Sequence, residues 1–230
     1  MSQSNIFIDI GNSAIKWKIP YSEVYSENIE NFLFNTLPQA DKAWVSAVAH
    51  DHIIEDLKLH FNKVHIVKAQ KQFSKLKVAY DDLSSLGSDR FCAMLGSMSH
   101  FPDKPLLVID IGSAVTFDEL DETGLHLGGL IMPGLSALRN SFPNFETSDL
   151  ISNDIGLAVD TENAWKNGTQ VMLLSAINNQ IQKFNDNFSD GIVTTSGGLV
   201  SDIKNYLPKS VQIFDNLVID GLESYSQTVG

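Results

Sequence analysis

The tetrapeptide Ile-Asp-Ile-Gly occurs twice, at residues 8–11 and 109–112, and each copy runs on into small hydroxyl or amide residues, Asn12-Ser13 and Ser113. Asp9 and Asp110 stand 101 positions apart in a chain of 230 residues. Solenoid repeats recur every roughly 20 to 50 residues, so a single repeat across nearly half the chain predicts two halves of similar plan. A chain of this length makes one large domain or two small ones. The boundary is expected in the Phe101-Pro102-Asp103-Lys104-Pro105 stretch, giving halves 1–102 and 103–230.

Apolar spacing supports the division. Ile6 to Asp9 and Ala14 to Ile19 read as hairpin strands around a Gly11-Asn12 turn. Ala43 to Val48 reads as a strand, Ile53, Ile54, Leu57 and Phe61 as one helix face, and Val64 to Val67 as a second strand. Phe91, Cys92 and Leu95 predict a helix starting just after Gly87. The second half opens in the same way, with strands Leu106 to Asp110, Ala114 to Leu120 and Gly124 to Ile131, ended by Pro133-Gly134. Val171, Leu174, Ile177, Ile181 and Phe184 keep the spacing of a buried helical face, and Ile192 to Thr195 runs as a strand into Ser196-Gly197-Gly198. Two mixed α/β halves, each beginning with a hairpin, are expected.

Sixteen Lys and Arg against 28 Asp and Glu leave a formal charge of -12, which repels polyanions. Nucleic acid and an anionic membrane are therefore excluded as expected partners, and any phosphate chemistry must be local. Cys92, the single cysteine, cannot close a disulfide within the chain, and with the absence of a basic, apolar leader this predicts a cytoplasmic protein. His50-Asp51-His52 has no third ligand nearby to make a zinc site. Trp17, Trp44 and Trp165 share no regular spacing and read as packing residues, as does Cys92.

A single Asp-x-Gly-Asn turn is an ordinary hairpin corner. Two, each opening a matching half, predict a pair of phosphate grips. Glycine lets backbone N–H groups come close to a ligand, Asn12, Ser13 and Ser113 offer polar side chains to phosphate oxygens, and an aspartate can hold a cation or its water. The Gly197-Gly198 pair either lets the chain pass flat against adenine or simply ends a strand. Gly87-Ser88-Asp89-Arg90 stands at a helix start, where Ser88 reads as the N-cap and Asp89 as an acid complementing the helix dipole. The same residues also suit a kinase: Asp89 to accept a hydroxyl proton and Arg90 to hold an anionic substrate group.

Taken together, Asp9 to Lys16 (D-x-G-N-S-x-x-K), Gly87 to Arg90 (G-x-D-R), Asp110 to Thr116 (D-x-G-S-A-x-T), Gly128 to Gly134 (G-G-x-I-x-P-G) and Ser196 to Gly198 resemble the type III pantothenate kinases. That family has the actin-like fold of sugar kinases and the Hsp70 ATPase. The resemblance implies two similar α/β halves with mixed sheets and an ATP cleft between them. It implies ATP-dependent phosphorylation of pantothenate to 4'-phosphopantothenate, the first step of coenzyme A biosynthesis. Asp9, Gly11, Asn12, Ser13, Lys16 and Ser113 would bind ATP, which brings Mg²⁺, and Asp89 would be the general base. Tyr80, Gly87, Ser88, Asp89, Arg90 and Thr161 would bind pantothenate, and Asp110 would hold a monovalent cation, potassium or ammonium. The resemblance also implies a homodimer.

Ser13 and Ser113 stand where the family more often has threonine, and Asp81-Asp82 where it has Asn-Pro. Two other readings compete. A non-catalytic accessory factor of the same fold would have lost a charged site residue, whereas Asp9, Asp89, Arg90 and Asp110 are all present. An actin-like kinase for another small hydroxyl substrate, such as a sugar, would carry hydroxyl-binding groups in place of Tyr80 and Arg90.

Overall fold

In the first strand every residue after Asn5 is buried, the mark of a strand covered on both faces. A computed structural model describes residues 4–142, 144–145, 148 and 150–229. Residues 1–3 and 230, counted in the two halves above, lie outside the described residues.

The chain runs β1 (Asn5–Ile10), β2 (Ala14–Lys18), β3 (Tyr25–Asn28), β4 (Lys42–Ala47), α1 (Asp51–His60), β5 (Lys63–Ile66), β6 (Gln72–Phe73), β7 (Leu76–Lys77) and α2 (Ser88–His100). It continues β8 (Leu106–Ile111), β9 (Ala114–Leu120), β10 (His126–Pro133), α3 (Leu135–Asn140), α4 (Thr161–Asn187), β11 (Ile192–Ser196), α5 (Val200–Ile203), β12 (Gln212–Ile213) and α6 (Leu217–Val229). The two main sheets have orders β3-β2-β1-β4-β5 and β10-β9-β8-β11-β12. In both, the first three strands form an antiparallel meander and the last two pair parallel to its first strand and to each other. The repeated tetrapeptide ends the central strand of each sheet.

Strand alternation sorts the core into three layers. Ile6, Ile8 and Ile10 pack with Ile53 and Leu57 of α1, while Leu107, Ile109 and Ile111 pack with Leu173, Ile177 and Ile181 of α4. Phe7 and Trp44 from one sheet and Leu106 and Val108 from the other meet in a middle layer with α2 and α6. Asp9 and Asp110 share the parity of Phe7 and Val108, so they face that middle layer, and the start of α2 lies between the loops they lead into.

Helices α2 and α6 cross in backbone contact. A methyl added at Gly96 would sit 2.2 Å from the Leu217 carbonyl oxygen, and one added at Gly221 1.8 Å from that of Cys92. Glycine inside a helix costs about 1 kcal/mol relative to alanine, and here it permits the crossing. Helix α6, in the second half by sequence, thereby lies against β1 and β4 of the first. Phe91 is fully buried in this layer; truncating such a phenylalanine to alanine costs roughly 3–5 kcal/mol.

Several boundaries differ from expectation. The third strand of the second meander starts at His126 rather than Gly124, because Gly124 turns with a φ of 83°. Val171 is 40% exposed, lying just off the buried stripe that holds Leu174, Ile177, Ile181 and Phe184. The three tryptophans pack as expected: Trp17 stacks on Tyr25, Trp44 on His65, and Trp165 donates its indole N–H to the Arg139 carbonyl.

Candidate active site

The two repeated hairpins are alike up to their glycines and then diverge. In the first, Gly11 N–H donates to the Ala14 carbonyl at 3.0 Å, so three residues connect the strands. In the second, Gly112 N–H donates to the Ala114 carbonyl at 2.9 Å, and the connection is one residue shorter. Asp9 stands opposite Lys16 in the β1–β2 register, whereas Asp110 stands opposite Thr116 in the β8–β9 register. One aspartate therefore has a cross-strand cation and the other does not. The loops meet where Ser13 Oγ and Ser113 Oγ lie 2.8 Å apart, and His50 Nε2 lies 3.1 Å from the Asn12 carbonyl.

The expected N-cap at Ser88 is corrected: Gly87 is the cap and Ser88 the first helical residue. The Ser88 hydroxyl donates to the Ala47 carbonyl, accepts from the Ala47 N–H, and lies 3.1 Å from Ser46 Oγ. That cluster fixes α2 to the end of β4. Asp89, one residue on, accepts from the Arg90 N–H at 2.7 Å and turns into the space between the loops.

A cavity of about 440 Å³ results. Asp9, Gly11, Asn12, Ser13, Lys16, Asp89, Asp110 and Ser113 all line it, with Thr116, Ser136, Gly198 and Val218. Val48 also lines it, and is shared with a neighbouring groove of about 840 Å³ bordered by α1, Leu83–Leu86, Gly87 and Ser88. Tyr80 and Arg90 line neither space: the Arg90 guanidinium donates from Nε and Nη2 to Asp118 and from Nη1 to Tyr80 Oη. Thr161 also lines neither; it is exposed in the first turn of α4.

The cleft is electrostatically loaded. Burial pushes the Asp9 carboxyl up to about 7, against the pull of Lys16 and with further upward pressure from Asp89 and Asp110. Burial likewise raises Asp110 to about 6, with Lys16 opposing and Asp89 adding to the rise. Asp89 is also raised, by burial first. Lys16 is the cation acting on both strand aspartates, leaving a surplus of negative charge suited to a bound cation. Among the described residues no three His, Cys, Asp or Glu side chains form a metal cluster. The donor set fits an ion held by one carboxylate with neighbouring oxygens, at Asp110, where the opposing strand offers Thr116 instead of a lysine.

These shifts set a stability trend. Asp9 and Asp110 have folded values above the unfolded 3.8, so the folded protein binds more protons than the unfolded between about pH 4 and 7. Stability therefore falls as pH rises through that window. The ligand-free protein is expected to lose on the order of 1–2 kcal/mol between pH 6 and 8, lowering Tm by several degrees. Asp9→Asn should flatten the slope, as thermal melts across that range would show. An equal slope in the variant would refute the assignment.

Asn216, not singled out from sequence, accepts from the Ile219 N–H at 2.9 Å, capping α6, and its side chain opposes the upward shift of Asp9. Asp118 and His126, which surround Arg90, were equally silent. A family model described as type III pantothenate kinase matches residues 5–183. A type III pantothenate kinase of Pseudoalteromonas translucida (strain TAC 125) is 30% identical over 229 residues, covering 94% of each chain. The chain belongs to the type III pantothenate kinase family.

Solved structures place this kinase in the actin-like fold. One from Campylobacter jejuni, of a protein assigned to the Baf family of transcriptional activators, aligns with a TM-score of 0.64 at 22% identity, covering 96% of this chain and 97% of the other. Another from Listeria monocytogenes, assigned as an N-acetylmannosamine kinase, aligns at 0.56 and 12% identity over 99% of this chain and 100% of that one. Among the described residues, no helix of this family member is long and apolar enough to cross a membrane.

Proposed function

We propose that this chain transfers the γ-phosphoryl group of ATP to the primary hydroxyl of pantothenate, giving 4'-phosphopantothenate and ADP at the start of coenzyme A biosynthesis. The observation that carries the reading is Asp89, a half-buried carboxylate at a helix start, opening into a cleft between two glycine turns. Its environment holds its pKa above the ordinary carboxylate range, which makes it a stronger base for a hydroxyl.

In the reaction the pantothenate hydroxyl gives its proton to Asp89 as its oxygen forms the bond to the γ-phosphorus. The bond from that phosphorus to the bridging oxygen breaks and ADP leaves. Gly11, Asn12, Ser13 and Ser113 receive the phosphates on N–H and O–H donors, and Lys16 offsets their charge. Positioning and charge stabilisation supply most of the rate in phosphoryl transfer. The Ser13–Ser113 contact lies across the path of the phosphates, so both hydroxyls exchange each other for phosphate oxygens. Mg²⁺ accompanies ATP, and a potassium or ammonium ion held at Asp110 would supply fixed positive charge beside the phosphates.

Gly87 and Ser88 hold the acceptor loop through backbone and β4 contacts, and Tyr80 and Arg90 form the end that receives the pantothenate carboxylate. Residues 1–102 thus supply one phosphate loop and the acceptor motif, and residues 103–230 the second loop and the adenosine side at Ser196 to Gly198. Thr161 reaches the acceptor from a second copy in a homodimer. Supporting this are apolar side chains left open on β10 and α4, with Ile131 64% and Met172 59% exposed. The buried free thiol of Cys92 fits a cytoplasmic setting. Intact Asp9, Asp89 and Asp110 in one cleft favour catalysis over an accessory role.

A coupled assay of ADP release with and without pantothenate tests the reaction: turnover should require pantothenate. Arg90→Lys keeps the charge but loses the planar fork. It should raise the KM for pantothenate severalfold while moving the KM for ATP by less than about twofold. An equal change in both would assign Arg90 to the nucleotide.

A further inference from the structure

We propose that Asp118 is a positioning residue for the acceptor end of the site, aiming Arg90 from the opposite half of the molecule; this rests on the reading of Arg90 as the receiver of the pantothenate carboxylate. Arg90 is 5% exposed and Asp118 2%. Asp118 Oδ2 accepts from Nε at 2.9 Å and Oδ1 from Nη2 at 2.6 Å, a bidentate pair. Tyr80 Oη accepts from Nη1 at 3.0 Å. A guanidinium has five N–H groups, so among the described residues these bonds leave two unassigned, one on each terminal nitrogen. Those two are the ones a substrate carboxylate can take. The plane in which they lie is set by Asp118, because a bidentate pair removes the rotation a long flexible side chain would otherwise keep.

The surroundings are built for that orientation. His126 Nε2, fully buried, stands 3.0 Å from Asp118 Oδ1 without the alignment of a hydrogen bond, and its ring lies parallel to that of Tyr80, at 5° with centroids 5.9 Å apart. Arg90, Asp118, His126 and Tyr80 thus close a ring of contacts. Gly129, opposite Asp118 in the β9–β10 register, completes it. A methyl there would lie 2.2 Å from Arg90 Nη2 and 2.6 Å from Asp118 Oδ1, so glycine is what admits the guanidinium. Arg90 and Tyr80 come from the first half of the chain, and Asp118, His126 and Gly129 from the second. Stability alone does not account for the arrangement, since a buried ion pair adds little over a well-packed apolar pair of the same volume. Its distinguishing property is fixed direction.

The test is kinetic, on the whole enzyme. Asp118→Asn keeps the shape and removes the charge. It should raise the KM for pantothenate about tenfold or more, leaving the KM for ATP within about twofold, because the buried pair is lost at the acceptor end only. In Arg90→Lys, which already lacks the fork, adding Asp118→Asn should change the KM for pantothenate by less than about threefold further, the non-additivity of residues acting as a unit. His126→Phe, which retains the ring on Tyr80 and loses the nitrogen beside Asp118, should raise that KM severalfold with an unaltered melting temperature. It decides the question if Asp118→Asn fails to fold. An unchanged or lowered pantothenate KM in the folded Asp118→Asn, additive effects in the double variant, or no pantothenate effect in His126→Phe where Asp118→Asn cannot be made, would each overturn the proposal. Were Arg90→Lys itself to leave the pantothenate KM unchanged, the reading of Arg90 would fail first and take this inference with it.

Discussion

Asp89→Asn is expected to lower kcat for pantothenate phosphorylation about 10²- to 10⁴-fold, the usual effect of removing a general base, while ATP binds as before. The amide can still accept the 2.7 Å bond from the Arg90 N–H, so helix α2 keeps its start and the loss reports on proton transfer alone. A second measurement separates a base from a bystander. Asp89 has its pKa raised by burial, and a base works only when ionised, so kcat/KM for pantothenate should climb as pH rises through that raised value and level off above it. The residual activity of Asp89→Asn should lack this limb. Retention of more than about a tenth of the wild-type rate would remove Asp89 from the chemistry.

Replacing potassium with sodium at fixed MgATP is expected to cut activity sharply, with recovery on adding potassium or ammonium. Asp110→Ala should abolish that response and lower activity on the order of 10²-fold, the scale of losing one preorganised charge contact. The hairpins give the reason. Asp9 has Lys16 across the strand, Asp110 has Thr116, and both carboxyls are driven upward by burial. If each simply accompanied the magnesium of ATP, the monovalent salt would be immaterial. Binding also has a readout independent of turnover: potassium should raise the melting temperature of the ligand-free wild type more than sodium does, and should not do so in Asp110→Ala. Full activity in sodium alone would sink the cation assignment.

The parts of the fold that could be read from sequence were those written in short-range code. Alternation and a glycine turn gave both hairpins, and the repeat placed Asp9 and Asp110 at matching points of two sheets whose strand orders are the same. What escaped depended on partners far along the chain. Ser88 looked like an N-cap because its neighbours are a helix start; its actual partners, Ser46 and Ala47, are about forty residues earlier. Asp118 passed as one more residue of a strand, since the Arg90 that explains a charge on its inward face comes from another element. Helix α6 was hidden by Gly221, which by propensity argues against a helix and is there because the Cys92 backbone leaves no room for a side chain. Asn216, at the head of that helix, was lost with it. The position of Thr161 at the start of α4 was equally invisible, because the apolar spacing that announces this helix begins only about ten residues later.

The crossing of α2 and α6 has a consequence for how such a molecule is made. The helix that presents Asp89 is completed against residues 217–229, which are synthesised after the whole of the second sheet. A fragment ending near the midpoint would hold the first glycine turn and Asp89 but would expose Phe91, Cys92 and Leu95 where Leu217, Val218 and Leu222 belong. The duplication visible in the chain is therefore one of pattern only: neither half is a finished unit, and a nascent chain stays without its catalytic geometry until the second half has emerged and folded back across the first.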